Sequence, residues 1–206
     1  MPPVVLVTGF EPFAGASVNP SAEVAKRLDG RRFGDAEIRA AVLPVQHVSA
    51  AASVRALLAA HEPTAVVHLG LAGERAQIAL ERIAINVMDY PIPDNEGLRA
   101  VDQPCVAEGP AAYFSTLPLR AIVTALHDAG IPAYLSATAG TYLCNFVMYT
   151  TLHALSARRP APPAGFIHLP SLPSMVPAGA TLHPSMDLGL MLRGVEGALE
   201  AITARR

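Results

Sequence analysis

The chain has 206 residues, of which 51% are hydrophobic and 16% are charged, and this composition excludes a disordered protein. Its formal net charge of −2 gives no electrostatic footprint for nucleic acid. No apolar run reaches the roughly 18 residues of a membrane-spanning helix. We therefore expect one domain over residues 1–206, with a sizeable core and with neither nucleic acid nor a membrane as partner.

The N-terminal stretch and the cysteine count bear on the cellular compartment. The opening "MPPVVLVTGF" has no positive charge before its apolar run, so it predicts a first strand and not a signal peptide. Two cysteines cannot form a disulfide framework. We expect a cytoplasmic, reducing setting, in which a thiol remains a thiol.

Short apolar runs alternate with helical patterns through the first part of the chain. The runs are continuous in Val, Ile and Leu, and the first helix opens on an Asn-Pro pair, which is typical of a helix N-terminus. Strands are predicted at residues 4–10, 37–45 and 64–70, and helices at residues 19–28 and 48–60.

The second part of the chain continues this alternation with more irregular connections. Residues 76–89 predict a long strand or a bent pair of strands, and residues 91–97 a loop. A helix is expected over residues 111–130, broken or kinked at Pro118. The remaining predicted elements are a strand at 131–138, a helix at 143–157, a strand at 164–170, an irregular and mobile loop at 169–184, and a helix at 184–204.

The continuously apolar strands indicate a sheet that is covered on both faces. Strands of this kind between helices are typical of an α/β protein. We therefore predict a single-domain α/β/α sandwich with a largely parallel, twisted sheet. In such a sheet, ligands bind beyond the carboxyl ends of the strands, so side chains at those ends are the first candidates for function.

Cys144 stands where a strand-like run gives way to a helix. The free N–H groups of a helix N-terminus favour a thiolate and could hold a developing oxyanion. A free cysteine is more often a small buried hydrophobic residue, so position alone leaves both interpretations open. Cys105 lies in a loop without such a setting, and we interpret it as structural.

A thiol nucleophile needs a base, and the base needs an orienting group. His153 lies nine residues after Cys144, on roughly the opposite side of the same helix, and cannot reach it. His68 and His168 both lie near strand ends, with a modest preference for His168. Glu81 lies in an apolar stretch and needs a partner there. An ion pair with Arg82 or another surface contact is as good an interpretation of Glu81 as a catalytic role.

Two aromatic residues follow the first strand, in "GFEPFAG". Phe10 and Phe13 lie at the carboxyl end of this strand, where aromatic rings can pack against a flat substrate group. A place in the core explains them equally well.

Four motifs give the chain a resemblance to a known family. They are "VTGFEPFAGASVNPS", "ERIAINVMDYPIPDN", "SATAGTYLCNFVMYTTLH" and "GFIHLPSLP", in this order along nearly the whole chain. In these motifs the chain resembles the pyroglutamyl-peptidase I (pyrrolidone-carboxylate peptidase) family, whose members are cysteine-type omega peptidases. The resemblance implies hydrolysis of an N-terminal pyroglutamyl (5-oxoprolyl) residue from peptides.

The resemblance also implies roles for individual residues. Cys144 of "LCN" matches the nucleophile of the family, His168 of "FIHLP" matches the base, and Glu81 of "ERIAIN" matches the orienting carboxylate. The substrate-binding positions that match are Phe10, Phe13, Leu71, Ile92 and Tyr142. The sequence has no CxxC or HExxH pattern and its histidines are scattered, so neither a metal nor a cofactor is expected. Members of the family are often tetramers, and the resemblance therefore implies a homo-oligomer.

The sequence departs from the family pattern at three positions. The family commonly has glutamine at position 71, arginine at position 91 and glycine at position 14, where this chain has Leu71, Pro91 and Ala14. Loss of the arginine side chain is expected to weaken transition-state stabilisation. The alternative function is therefore a weakly active or retuned homologue that binds pyroglutamate or another lactam. A redox-sensing thiol protein is a third class.

Overall fold

A computed structural model describes residues 2–176, 178–179 and 182–204. Nine strands and five α-helices lie in these ranges. The strands are β1 (Val4–Phe10), β2 (Arg32–Phe33), β3 (Ala36–Leu43), β4 (Ala65–Leu71), β5 (Ile78–Glu81), β6 (Ile83–Ile85), β7 (Ala112–Phe114), β8 (Ala133–Ser136) and β9 (Ala164–Leu169). The helices are α1 (Pro20–Leu28), α2 (His47–His61), α3 (Leu119–Asp128), α4 (Leu143–Ser156) and α5 (Leu188–Thr203).

The main sheet has seven strands in the order β2-β3-β1-β4-β9-β5-β8. The pairs of β1 with β3 and β4, of β4 with β9 and of β5 with β8 are parallel, whereas β2 runs antiparallel to β3 and β5 antiparallel to β9. The predicted α/β class with a largely parallel sheet is confirmed. Strands β6 and β7 form a separate two-stranded antiparallel sheet.

Helices cover both faces of the main sheet. Alternate residues of β1 point to opposite faces, as the strand period requires, and all except Val4 are buried. Val5 and Val7 belong to a core shared with α1, α3 and α5, whereas Leu6 and Phe10 belong to a core shared with α2 and α4. This double burial explains why the strands are continuously apolar.

The helix expected over residues 111–130 is wrong in its first part. Ala112–Phe114 forms β7 and pairs with β6, and α3 begins only at Leu119. Pro118 is the N-cap residue of α3, so the chain turns into the helix after the proline instead of kinking at it. Of the two alternatives for residues 76–89, one long strand or a bent pair, the structure has the pair, β5 and β6.

In the described part of the loop expected at residues 169–184, Leu169 still belongs to β9, Pro173–Met175 forms a 3₁₀ turn, and the other residues are irregular. Pro177, Ala180 and Thr181 of this loop lie outside the described residues, so its mobility stays a prediction. Its far end is fixed where the Met186 N–H donates to the Ser171 carbonyl at 2.9 Å. Within the described ranges, no helix is long and apolar enough to cross a membrane.

Candidate active site

A cavity of about 210 Å³ lies at the carboxyl ends of β1, β4 and β9. This is the edge of the sheet at which the sequence predicted a ligand site. The cavity is smaller than the roughly 300–1,000 Å³ of pockets for drug-sized ligands, so it fits one small residue. It is lined by Phe10, Phe13, Asn19, Val45, Leu71, Ala72, Arg75, Ala139, Gly140, Tyr142, Leu143, Cys144 and His168.

Cys144 is the second residue of α4 and lines the cavity. The N-cap residue, Tyr142, makes no side-chain hydrogen bond to the first turn, so no cap competes for the N–H groups there. Asn145 anchors this turn: its Nδ2 donates to the carbonyls of Ile85 and Val87 at 2.9 and 3.0 Å, and its Oδ1 accepts from the Ile85 N–H at 2.9 Å. Sequence analysis missed this anchor.

The thiol of Cys144 occupies space that Gly70 leaves open. A Cβ atom built on Gly70 would lie 3.0 Å from the Cys144 Sγ and 2.7 Å from the Phe166 ring. Gly70 is paired with His168 in the register of β4 and β9. The absence of a side chain at Gly70, near the end of β4, therefore leaves room for the thiol of Cys144.

His168 and Glu81 form a buried hydrogen-bonded pair. His168 Nδ1 lies 2.8 Å from Glu81 Oε1, and the two side chains are 5% and 0% exposed. The antiparallel pairing of β9 with β5 makes this contact. Since Nδ1 donates to the carboxylate, Nε2 is the nitrogen left to accept a proton from a nucleophile.

Arg75 is the second partner of Glu81, and sequence analysis missed it. Its Nη1 lies 2.5 Å from Glu81 Oε1, while Nη2 donates to the Thr138 carbonyl at 3.4 Å. The pair expected as an alternative, Glu81 with Arg82, does not form, because Arg82 is exposed. The need of a buried carboxylate for a cation was the available signal, but several arginines could have met it.

Burial decides the protonation of the two reactive side chains. It raises the pKa of the Cys144 thiol to about 12, with Glu81 adding to the increase and Arg75 opposing it. Burial also lowers the pKa of His168, against the raising effect of the Glu81 hydrogen bond. Near neutral pH the resting site therefore holds a neutral thiol and a neutral imidazole.

Four of the five predicted substrate-binding residues line the cavity. Phe10 ends β1, Leu71 ends β4, and Phe13 and Tyr142 face each other with ring centroids 6.3 Å apart. Ile92 is not among the lining residues and is 38% exposed, so its role stays a prediction.

The histidines and the cysteine that sequence analysis set aside lie elsewhere. His68 is buried inside the sheet between Thr8 and Thr151, and His153 bonds to the Tyr113 hydroxyl at 2.9 Å. Cys105 donates to the Ile85 carbonyl at 3.6 Å, and burial raises its pKa to about 12. None of these side chains lines the cavity.

The structure shows the surroundings of the three residues that depart from the family pattern. Ala14 has a φ of 52°, in the left-handed region that favours glycine, and it directly follows Phe13. Pro91 is exposed and is not a cavity-lining residue, and its carbonyl accepts from Arg99 at 3.5 Å. Leu71, the third departure, adds to the apolar wall.

No group of three or more His, Cys, Asp or Glu residues suited to a metal ion occurs in the part of the chain that the structure describes. The polar side chains of the cavity are those of Asn19, Arg75, Tyr142, Cys144 and His168. Asn19 is occupied as the N-cap of α1, where it accepts from the Ser21 N–H at 3.1 Å. The remaining groups suit nucleophilic and acid–base chemistry.

The family model described as pyroglutamyl peptidase matches residues 4–205. Pyrrolidone-carboxylate peptidase from Pyrococcus furiosus is 45% identical over 199 residues, 95% of this chain and 96% of that protein. The enzyme of the same name from Chromobacterium violaceum is 49% identical over 180 residues, 87% and 81% of the two chains.

Solved structures give the same relationship. A mutant pyrrolidone carboxyl peptidase from P. furiosus matches with a TM-score of 0.95 and 43% identity over 98% of both chains. Pyrrolidone carboxyl peptidase from Thermococcus litoralis also matches with a TM-score of 0.95, at 41% identity over 99% of this chain and 94% of that one.

Proposed function

Because this chain belongs to the pyroglutamyl peptidase family, we propose that it removes the N-terminal pyroglutamyl residue from peptides with Cys144 as its nucleophile. The family makes it a cysteine-type peptidase. In the proposal, His168 is the general base and acid, and Glu81 orients its imidazole.

One observation carries the assignment of residues. Cys144 and His168 line the same small cavity, and His168 donates a hydrogen bond from Nδ1 to the buried carboxylate of Glu81. A nucleophile, a base and an orienting carboxylate in this order are the elements of a catalytic triad.

The first step is attack on the carbonyl carbon of the pyroglutamyl residue. His168 Nε2 accepts the thiol proton as Cys144 Sγ forms the new bond, since neither side chain is ionised beforehand. The carbonyl oxygen becomes an oxyanion, for which the Cys144 N–H at the helix N-terminus is the proposed donor.

The second step releases the shortened peptide, and the third regenerates the enzyme. The imidazolium of His168 donates its proton to the leaving amine as the C–N bond breaks, which leaves an acyl-enzyme on Cys144. Water then loses a proton to His168 and attacks the thioester, pyroglutamate leaves, and the thiol regains its proton.

The cavity lining explains the choice of a pyroglutamyl residue. Its walls are largely apolar and aromatic, and no carboxylate is among the lining residues within the described ranges. A free N-terminal ammonium group would therefore find no counter-charge there, whereas removing an uncharged lactam ring from water costs far less than removing an ammonium ion. Proposed ring contacts come from Phe10, Phe13, Leu71 and Tyr142, and Ile92 is a further candidate at the rim.

The assay is release of a fluorogenic amine from its pyroglutamyl amide under reducing conditions. Cys144→Ala is expected to abolish turnover, whereas Cys105→Ala removes the only other thiol of the chain and is expected to retain turnover. The matching prolyl amide, which carries a charged amine, is expected to be a poor substrate. Equal turnover by Cys144→Ala would refute the assigned nucleophile.

The alternative of a homologue that only binds a lactam receives no support from the comparisons. Pyroglutamate binding without turnover of any pyroglutamyl amide would be needed to revive it. A homo-oligomer, with a tetramer as the family expectation, and a cytoplasmic location remain predictions. Light scattering of the purified chain would measure the first.

A further inference from the structure

The two carboxylate oxygens of Glu81 differ in their hydrogen bonds. Its Oε1 accepts from both His168 Nδ1 at 2.8 Å and Arg75 Nη1 at 2.5 Å. Its Oε2 is buried and has no hydrogen-bond partner among the described residues. The Glu81 side chain is fully buried. Among the described residues, Arg75 is the only permanently charged cation bonded to it.

A buried carboxylate with one partner removed is strongly destabilised, because its charge is left uncompensated in a medium of low dielectric. Without Arg75, the pair formed by Glu81 and His168 would reduce this cost by taking up a proton. If His168 holds that proton, its imidazole cannot accept another one from Cys144. If Glu81 holds it on Oε2, the carboxylate loses the charge that stabilises the imidazolium.

We propose that Arg75 is a positioning residue of this reaction, which balances the buried charge of Glu81 and keeps its Oε1 aimed at His168. The inference rests on the proposed function. The guanidinium is fixed by a second bond, from Nη2 to the Thr138 carbonyl, so its direction towards Glu81 is set by the protein and not by substrate.

The charged and titratable groups that face the imidazole come from three elements. They are Glu81 of β5, Cys144 of α4 and Arg75 of the β4–β5 connection. The positive charge of Arg75 lowers the pKa of His168 and also that of the Cys144 thiol, whereas Glu81 raises both. Removing the charge of Arg75 should therefore raise both pKa values, and removing the charge of Glu81 should lower them.

The experiment measures kcat and KM for a pyroglutamyl amide against pH for the wild type, Arg75→Met, Arg75→Lys and Glu81→Gln. In Arg75→Met, the acidic inflection of kcat should move up by about one pH unit, which lowers activity below the inflection about tenfold. Arg75→Lys keeps the charge and should restore the inflection. Glu81→Gln should move the inflection down.

Arg82→Met is the matched control. Arg82 adjoins Glu81 in sequence but is exposed and does not line the cavity, so its loss should leave the inflection in place. Thermal unfolding of each variant separates a shifted profile from a failure to fold. An unshifted acidic inflection in Arg75→Met, or an effect on KM alone, would overturn the proposal.

A second readout does not depend on turnover. Alkylation of Cys144 by iodoacetamide follows its thiolate, so its inflection should move to higher pH in Arg75→Met and to lower pH in Glu81→Gln. If the wild type hydrolyses no pyroglutamyl amide, these opposite shifts still support the role of Arg75, and the proposed function alone fails. Alkylation profiles that coincide in all variants would refute the role of Arg75.

Discussion

Gly70 and Cys144 share one space: a Cβ atom on Gly70 would lie 3.0 Å from the Cys144 Sγ. The same atom would lie 2.7 Å from the ring of Phe166, which is fully buried and cannot move away freely. Strand β4, which contains Gly70, therefore restricts the position of the Cys144 Sγ atom. Glycine at this position is explained by a close approach of side chains and not by a positive φ.

Gly70→Ala should therefore reduce catalysis more than stability. Overpacking of this kind costs about 1–3 kcal/mol, and a displacement of about 1 Å at a reacting atom can lower the rate about a hundredfold. We expect kcat/KM to fall at least tenfold while the fold is retained. Steady-state kinetics with a melting curve is the measurement, and an unchanged kcat/KM would contradict it.

Ala14→Gly should stabilise the protein. Ala14 is exposed and has a φ of 52°, a conformation that costs a non-glycine residue about 1–2 kcal/mol. Glycine loses part of this gain through the greater entropy of the unfolded chain, so the net effect should be about 0.5–1 kcal/mol. Thermal unfolding should show a Tm higher by about 2 °C. A lower Tm would mean that the strain is absent.

Gly194 and Gly197 form a matched pair on α5. A Cβ atom on Gly194 would lie 2.4 Å from Cδ1 of the buried Ile78, whereas one on Gly197 would meet its nearest atom, Cδ1 of Leu126, at 3.5 Å. Gly197→Ala should stabilise the protein by about 0.5–1 kcal/mol through helix propensity. Gly194→Ala should destabilise it by about 1 kcal/mol, because overpacking outweighs that gain. Denaturant unfolding measures both, and equal signs would refute this assignment.

His68 should make the fold sensitive to acid. Its Nδ1 lies 2.7 Å from the Thr8 hydroxyl and its Nε2 2.9 Å from that of Thr151, and burial lowers its pKa from 6.5 to about 3. Because the unfolded chain takes up this proton first, the contribution to stability is full above pH 6.5 and is lost as the pH falls towards 3. The loss is about 1.4 kcal/mol per pH unit.

His68→Gln tests this contribution. Glutamine can hydrogen-bond to both hydroxyl groups but does not titrate. The free energy of unfolding, measured by urea between pH 6 and 4, should therefore depend less steeply on pH in the variant than in the wild type. Parallel pH dependences would show that other groups cause the acid sensitivity.

Local patterns in the sequence predicted most of the secondary structure. Strand β1 and the cap of α1 by Asn19 follow from apolar continuity and side-chain chemistry within a few residues. The helix prediction was wrong for residues 111–117 because their apolar pattern fits a helix or a strand equally well. Pairing of β7 with β6, a contact between distant parts of the chain, decided the outcome.

By itself, the sequence determined the fold class and, through its motifs, the family, since periodicity and short-range chemistry are carried by neighbouring residues. Only the tertiary structure decided which arginine neutralises Glu81. Arg75 and Arg82 are both near it in sequence, and the direction of each side chain depends on how β4 and β5 are joined and buried. The space that Gly70 leaves for Cys144 was decided in the same way, because two strands and a helix meet there.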